Sequence, residues 1–159
     1  MVLGGALTGT VSLFRDQLAT KRERDARQLL RAQDRQDRRD AFQRETLLAL
    51  QDVVEDIRLI IIREYERKLT IWRQDHRWPS RAPADSLPKD WSDADALANK
   101  LWARVLDVDL ASMVSDFCDT AGAAVTAQTQ DRAFDEIKHA GEPAHQINTR
   151  IGVLLHDLF

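Results

Sequence analysis

The side chains best able to do chemistry in this chain are four histidines, one cysteine and a set of aspartates. The histidines, His76, His139, His145 and His156, lack the HExxH spacing of a zinc enzyme, and Cys118 is the only cysteine. The aspartates lack the compact DxDxDG loop that binds calcium. We therefore expect no catalytic residue, no metal and no cofactor, and a protein that is not an enzyme.

Glycine and cysteine usage argues against two further classes of protein. Gly4, Gly5 and Gly9 follow no strand and carry no lysine at the spacing of a phosphate-binding loop. A single cysteine cannot form an intrachain disulfide, so nothing indicates an oxidising compartment. Cys118 lies in an apolar run, which predicts a buried thiol without chemistry. We expect a cytoplasmic protein.

The element that dominates the chain is a stretch from Val11 to Trp78 without glycine or proline. A helix through most of this stretch would be on the order of 100 Å long, far beyond a globular helix. The residue pattern divides the chain into an apolar N-terminal segment (1–14), a charged helical arm (15–46) and a helical bundle domain (47–159). The length of 159 residues suffices for one modest core.

The apolar segment carries no charge over MVLGGALTGTVSLF and is followed by basic residues. It is too short to cross a bilayer core of about 30 Å, which needs about 20 apolar residues. Gly5 and Gly9 form a small-xxx-small pair of the kind that lets membrane helices approach closely. The basic residues that follow would keep the rest of the chain in the cytoplasm. Two interpretations stay open: contact with the inner face of a membrane, or an N-terminal helix that is frayed or packed on a protein partner.

The charged arm contains helix-forming residues, with opposite charges such as Asp34 and Arg38 four positions apart. Its few apolar residues predict a solvated helix or a weak coiled coil, which associates with itself or with a protein partner. Because acidic residues interrupt its basic run, we do not expect nucleic-acid binding. The candidate interaction residues of the segment and arm are Gly5, Gly9, Leu18, Leu29, Leu30 and Phe42.

From Leu47 onward, apolar residues recur at spacings of three and four, which predicts one buried helical face. The prolines of the loop at 78–91 end this helix near His76. Trp78 and Trp91 bracket the loop and are expected to pin it to the bundle. The predicted buried face comprises Leu47, Leu50, Val54, Ile57, Ile61, Tyr65, Leu69 and Trp72.

The second helix is expected to start near Asp93, with Ser92 as its N-cap. A break at residues 107–109 should let Asp109 cap a third helix, and Gly141-Glu142-Pro143 should interrupt the chain before the last one. The fold class is all-α, with one very long N-terminal helix packed against a bundle of three to four shorter C-terminal helices. The predicted faces include Ala94, Leu97, Leu101, Val105 and Val108, then Leu110, Met113, Val114, Phe117 and Ala121, and finally Ile147, Ile151, Leu154, Leu155 and Leu158.

The layout resembles a broad group of bacterial proteins from GC-rich genomes, in which an N-terminal glycine-rich apolar segment runs into a charged helix and a small cytoplasmic helical domain. The resemblance rests on GGALTGTVSLF, KRERDARQLLRAQDRQDRRDAF and INTRIGVLLHDLF. It implies this architecture and no activity.

Three functions are compatible with this pattern. The first is a non-catalytic structural or protein-interaction module, suggested by a charged helix with too little apolar surface to fold alone. The second is a membrane-coupled signalling or regulatory adaptor. The third is a helical enzyme or ligand-binding domain, with a pocket lined by Trp72, Trp78, Trp91 or Trp102.

Overall fold

The computed structural model describes the backbone of residues 6–79 and 88–158, and the side chains of 21–79 and 88–158. These residues form four α-helices and no strand, which confirms the all-α fold class. The helices are α1 (Ala6–Asp75), α2 (Lys89–Trp102), α3 (Val108–Thr126) and α4 (Gln130–His156). The long N-terminal helix and three shorter C-terminal helices match the predicted architecture. The chain divides into two compact units, one ending at Ala41 and the other beginning at Phe42.

The first unit is the N-terminal part of α1, and its side chains from Lys21 to Arg39 are all exposed. Ion pairs within the helix support it: Arg27 donates to Glu23 at 2.6 Å, and Arg38 donates to Asp34 at 2.8 Å. The second pair was predicted from the spacing of its members. Such exposed pairs contribute only a few tenths of a kcal/mol each, roughly 0.3–0.5.

The second unit is a helical bundle, and its core begins on the remaining part of α1. Leu47, Leu50, Val54, Ile57 and Ile61 are buried together with residues of all three other helices, as their spacing predicted. The helix ends at Asp75, where His76 adopts a left-handed φ of 50°. The backbone N–H of His76 still donates to the Trp72 carbonyl at 2.8 Å, which closes the last turn. The predicted end near His76 is confirmed.

Helix α2 begins earlier than Asp93. It starts at Lys89, with Pro88 at the N-cap and no side-chain cap, so Ser92 is not the N-cap. The physical reason is Trp91, which is only 5% exposed and extends the buried spacing one turn toward the N-terminus. This phase also leaves Leu97 exposed, contrary to prediction, and Val108 is exposed at the start of α3, which is likewise contrary to prediction. The inward face of α2 is Trp91, Ala94, Ala98 and Leu101.

The predicted break before α3 is confirmed, but a different aspartate caps the helix. Asp107, rather than Asp109, accepts a hydrogen bond from the Leu110 N–H at 2.8 Å. Asp107 is the better placed residue because its extended backbone lets the carboxylate fold over the first turn. The α3 face then follows the prediction, with Leu110, Val114, Phe117 and Ala121 buried.

Helix α4 runs without interruption through Gly141-Glu142-Pro143, so the predicted break there is wrong. A proline in a helix interior costs about 3 kcal/mol, because it removes one backbone hydrogen bond and crowds the preceding turn. Apolar residues on both sides of Pro143 pack into one continuous face, and we attribute the survival of the helix to this packing. The buried residues are Ala133, Ala140, Ala144, Ile147 and Ile151.

Candidate functional site

The residues able to bind metals or donate protons are dispersed over the bundle. His76, His139, His145 and His156 are all exposed. In the part of the chain that the structure describes, no three His, Cys, Asp or Glu side chains come close enough to hold a metal ion. The geometry therefore supplies no starting point for metal chemistry within those residues.

Cys118 is a buried thiol, as its apolar neighbours predicted, with 8% of its surface exposed. Burial, together with the charges of Asp95 and Asp119, raises its pKa to about 12. Because the thiolate is the reactive form, a thiol with this pKa is inert at neutral pH. Burial likewise raises the pKa of the Asp95 carboxyl, with a second contribution from Asp119.

The tryptophans serve as packing anchors. The indole N–H of Trp78 donates to the Ala127 carbonyl at 3.2 Å, just beyond the end of α3. Trp102 donates to the side-chain oxygen of Asn99 at 3.0 Å, and the Trp72 ring meets His76 edge-on. Trp91 is buried in the core. None of the four lines either of the two clefts described next.

The larger cleft has a volume of about 360 Å³ and lies between α1 and the start of α2. Its guanidinium groups already have partners. Arg67 forms a two-pronged hydrogen bond with Glu64, both distances being 2.8 Å, and Arg63 donates to the Leu59 carbonyl at 3.3 Å. The two arginines of this cleft are therefore already engaged in hydrogen bonds. It is lined by Ile60, Arg63, Glu64, Arg67, Pro88 and Asp90.

The smaller cleft, of about 160 Å³, lies between α1, the segment before α3 and the C-terminal end of α4. Its polar groups are also engaged in structure. Gln43 donates to the Arg104 carbonyl at 3.0 Å and accepts from the Leu106 N–H at 3.3 Å, while Asp107 pairs with Arg150. Leucine side chains form much of the remaining wall.

Lys68 is the main polar residue that sequence analysis missed. The residue is 3% exposed, and its ammonium donates to the Val125 carbonyl at 2.7 Å. Glu64 lies 3.9 Å away, and the Trp78 ring centroid lies 6.0 Å away. The sequence held one signal: Lys68 is seven residues after Ile61, on the stripe that is otherwise apolar.

The candidate interaction residues fall largely on the exposed part of α1. Leu29 is 72% exposed and Leu30 is 65% exposed, values that mark them as unpacked apolar side chains within a charged helix. Phe42, where the bundle begins, is 47% exposed. Gly5 lies outside the described residues; Gly9 and Leu18 lie in the described backbone of α1, but the exposure of neither is described.

The fold and its surface define an all-α helical bundle whose first helix carries a charged, exposed stretch between Lys21 and Arg39. Comparison with known proteins gave no match to a family model, a curated protein or a solved structure. Within the described residues, none of the helices offers a long enough apolar stretch to cross a bilayer.

Proposed function

We propose that this chain is a non-catalytic interaction module, in which the bundle is the folded body and the charged arm of α1 engages a second copy or a protein partner. The exposure of Leu29 and Leu30 is the observation that carries this proposal. Both leucines lie in a helix that contributes no side chain to the bundle core between Lys21 and Arg39. A helix with so little packing of its own gains most of its stability from association.

The remaining chemistry of the bundle supports a structural role. The buried ammonium of Lys68 and the indole N–H of Trp78 donate to backbone carbonyls, and the Asp107 carboxylate caps helix α3. Four of the polar residues that line the two clefts, Arg63, Arg67, Gln43 and Asp107, already have partners. We place the protein in the cytoplasm, where the unpaired Cys118 stays reduced, with the N-terminal end of the arm near the inner face of a membrane.

The test compares the full-length protein with a Leu29→Glu/Leu30→Glu variant. Light scattering should show concentration-dependent association, or affinity capture should return a partner, and the variant should lose it. Because both leucines are exposed, the urea unfolding midpoint of the bundle should not change. A Leu59→Glu/Leu97→Glu variant is the matched control, since these leucines are 42% and 45% exposed but lie in the bundle. A monomeric wild type that captures the same proteins as the arm variant would refute the proposal.

A further inference from the structure

The helical phase of the arm separates charges that are mixed in the linear sequence. With about 100° of rotation per residue, seven cations between positions 21 and 39 fall within a sector of about 120°. No acidic residue falls in that sector: Glu23, Asp25, Asp34, Asp37 and Asp40 all lie outside it. We call this surface the basic stripe, and its members are Lys21, Arg24, Arg27, Arg31, Arg35, Arg38 and Arg39.

The basic stripe is open to solvent and only partly neutralised. Its members are all exposed. Arg27 and Arg38 pair with acids at the edge of the sector, yet they remain 67% and 78% exposed. The other five form no ion pair with any carboxylate whose side chain the structure describes. They are Lys21, Arg24, Arg31, Arg35 and Arg39.

A surface of this kind is complementary to an anionic partner. A second copy of the same stripe would repel it, so self-association cannot use this face. The stripe runs parallel to the helix axis for about 27 Å, from eighteen residues at 1.5 Å each. A stripe parallel to the axis presents its cations to a flat surface together, whereas the phosphate backbone of a nucleic-acid duplex winds away from it. The same helix begins at Ala6 in an uncharged run that ends at Phe14, seven positions before Lys21, and this run also favours a lipid surface.

We propose that the basic stripe binds the surface of an anionic phospholipid bilayer, with the helix lying along the headgroups. This inference rests on the proposed function, in which the arm is the interaction element, and it adds a second binding face to the arm. Leu29 and Leu30 lie outside the cationic sector, so they remain available to a protein while the arginines contact lipid. The contact is electrostatic, because no large apolar side chain between positions 21 and 39 lies in the sector to insert between lipids. The remaining residues, 42–159, carry 14 Lys/Arg and 20 Asp/Glu, a net charge of −6, so they are repelled by the same surface.

The experiment measures co-sedimentation of the full-length protein with vesicles of equal parts phosphatidylcholine and phosphatidylglycerol. Each Lys or Arg near such a surface strengthens binding about fivefold, so Arg24→Gln/Arg31→Gln/Arg35→Gln should weaken it about a hundredfold. The matched control, Arg22→Gln/Arg73→Gln/Arg77→Gln, removes the same charge from exposed arginines off the stripe and should bind nearly as wild type. High salt should release the wild-type protein. On vesicles of phosphatidylcholine alone, all three proteins should bind equally.

A second pair of variants tests whether binding depends on the rotation of the cations about the helix axis, without changing the charge. One alanine inserted after Gln28 rotates the following cations by about 100° and splits the stripe, whereas seven inserted alanines restore the phase to within about 20°. The single insertion should weaken vesicle binding and the longer one should not. Circular dichroism checks that each variant remains helical.

Three results would overturn the inference. The first is equal loss in the stripe variant and its matched control, and the second is equal binding by the two insertion variants. The third is wild-type binding to a DNA duplex that exceeds vesicle binding and is lost in the stripe variant, which would assign the stripe to nucleic acid. The proposed function would survive any of them if the Leu29→Glu/Leu30→Glu variant still loses association, so the two failures are distinguishable.

Discussion

Replacing Lys68 with methionine is expected to lower the free energy of unfolding of the bundle by about 2 kcal/mol. The change keeps the length of the side chain and removes its ammonium. That ammonium lies 2.7 Å from the Val125 carbonyl and 3.5 Å from the Ala127 carbonyl. Helix α3 ends at Thr126 and has no basic residue in its last turn. Lys68, on α1, therefore supplies from outside the positive charge that a helix C-terminus favours.

The expected change in the free energy of unfolding combines two losses with one gain that offsets part of them. A hydrogen bond from a charged donor contributes about 1.5–3 kcal/mol, and a buried carbonyl left without a donor costs about 1–3 kcal/mol. Removing the ammonium also removes its desolvation cost, which offsets part of this loss. Lys68→Ala additionally deletes three methylenes from a residue that is 3% exposed, so its total loss should be about 4 kcal/mol.

Urea unfolding followed by circular dichroism gives both values, and hydrogen exchange locates the effect. In Lys68→Met, the amides of the last turn of α3 should lose more protection than those in the middle of α4. Stability of Lys68→Met equal to or above that of the wild type would refute the reasoning, because the desolvation cost would then exceed the value of the carbonyl contacts. Unchanged protection at the end of α3 would refute the capping role separately.

Three further predictions concern other residues of the bundle. Asp107→Ala should cost about 1–2 kcal/mol, because the N-cap of α3 is lost, whereas Asp107→Asn keeps the cap and should cost less. The hydrogen bonds from Arg150 and the Leu110 N–H lower the pKa of Asp107 in the folded protein. The stabilisation from its ionised carboxylate is therefore complete above about pH 4, the pKa of an unfolded Asp, and is lost as the pH falls through the lower pKa of the folded protein. Urea unfolding at pH 7 and pH 3 should therefore show a smaller difference between wild type and Asp107→Asn in acid. Cys118, with a pKa of about 12, should react with a disulfide reagent at pH 8 only as the protein unfolds in urea; equally fast reaction of the native protein would contradict its burial. Pro143→Ala should raise the free energy of unfolding by about 1–2 kcal/mol, since the new N–H can complete the α4 ladder; an unchanged value would show that the helix is already relaxed around the proline.

The parts of the fold that could be predicted are those set by local periodicity. The spacing from Leu47 to Ile61 identified the buried face of α1, and the spacing from Leu110 to Ala121 identified that of α3. The prolines after Trp78 indicated where α1 must stop. Each of these signals acts within a few turns of helix, so the neighbouring residues carry enough information to decide it.

The errors occurred where tertiary packing outweighed a local signal. Ser92 is a good N-cap by type, but burial of Trp91 starts the helix earlier. Pro143 normally ends a helix, yet the apolar residues around it hold α4 together. By residue type, Lys68 would be predicted to be solvated, but it is buried because the end of α3 lies beside it. Trp91 and the apolar residues around Pro143 are buried by other helices that are distant in sequence, and Val125 lies 57 residues from Lys68, so the local pattern did not decide these positions.

The arm shows that the phase of a helix can carry more information than its composition. Its acids and bases alternate every few residues, and the linear run therefore indicates a neutralised, solvated helix. In the uninterrupted helix that forms, Lys21 and Arg39 nevertheless lie on the same face because their separation of eighteen residues is five full turns. A glycine or proline between them would allow a kink and break that phase. The lack of both residues from Val11 to Trp78 thus keeps these cations on one side of the helix as well as allowing its length. The insertion variants measure how much vesicle binding depends on that common side when the charge is constant.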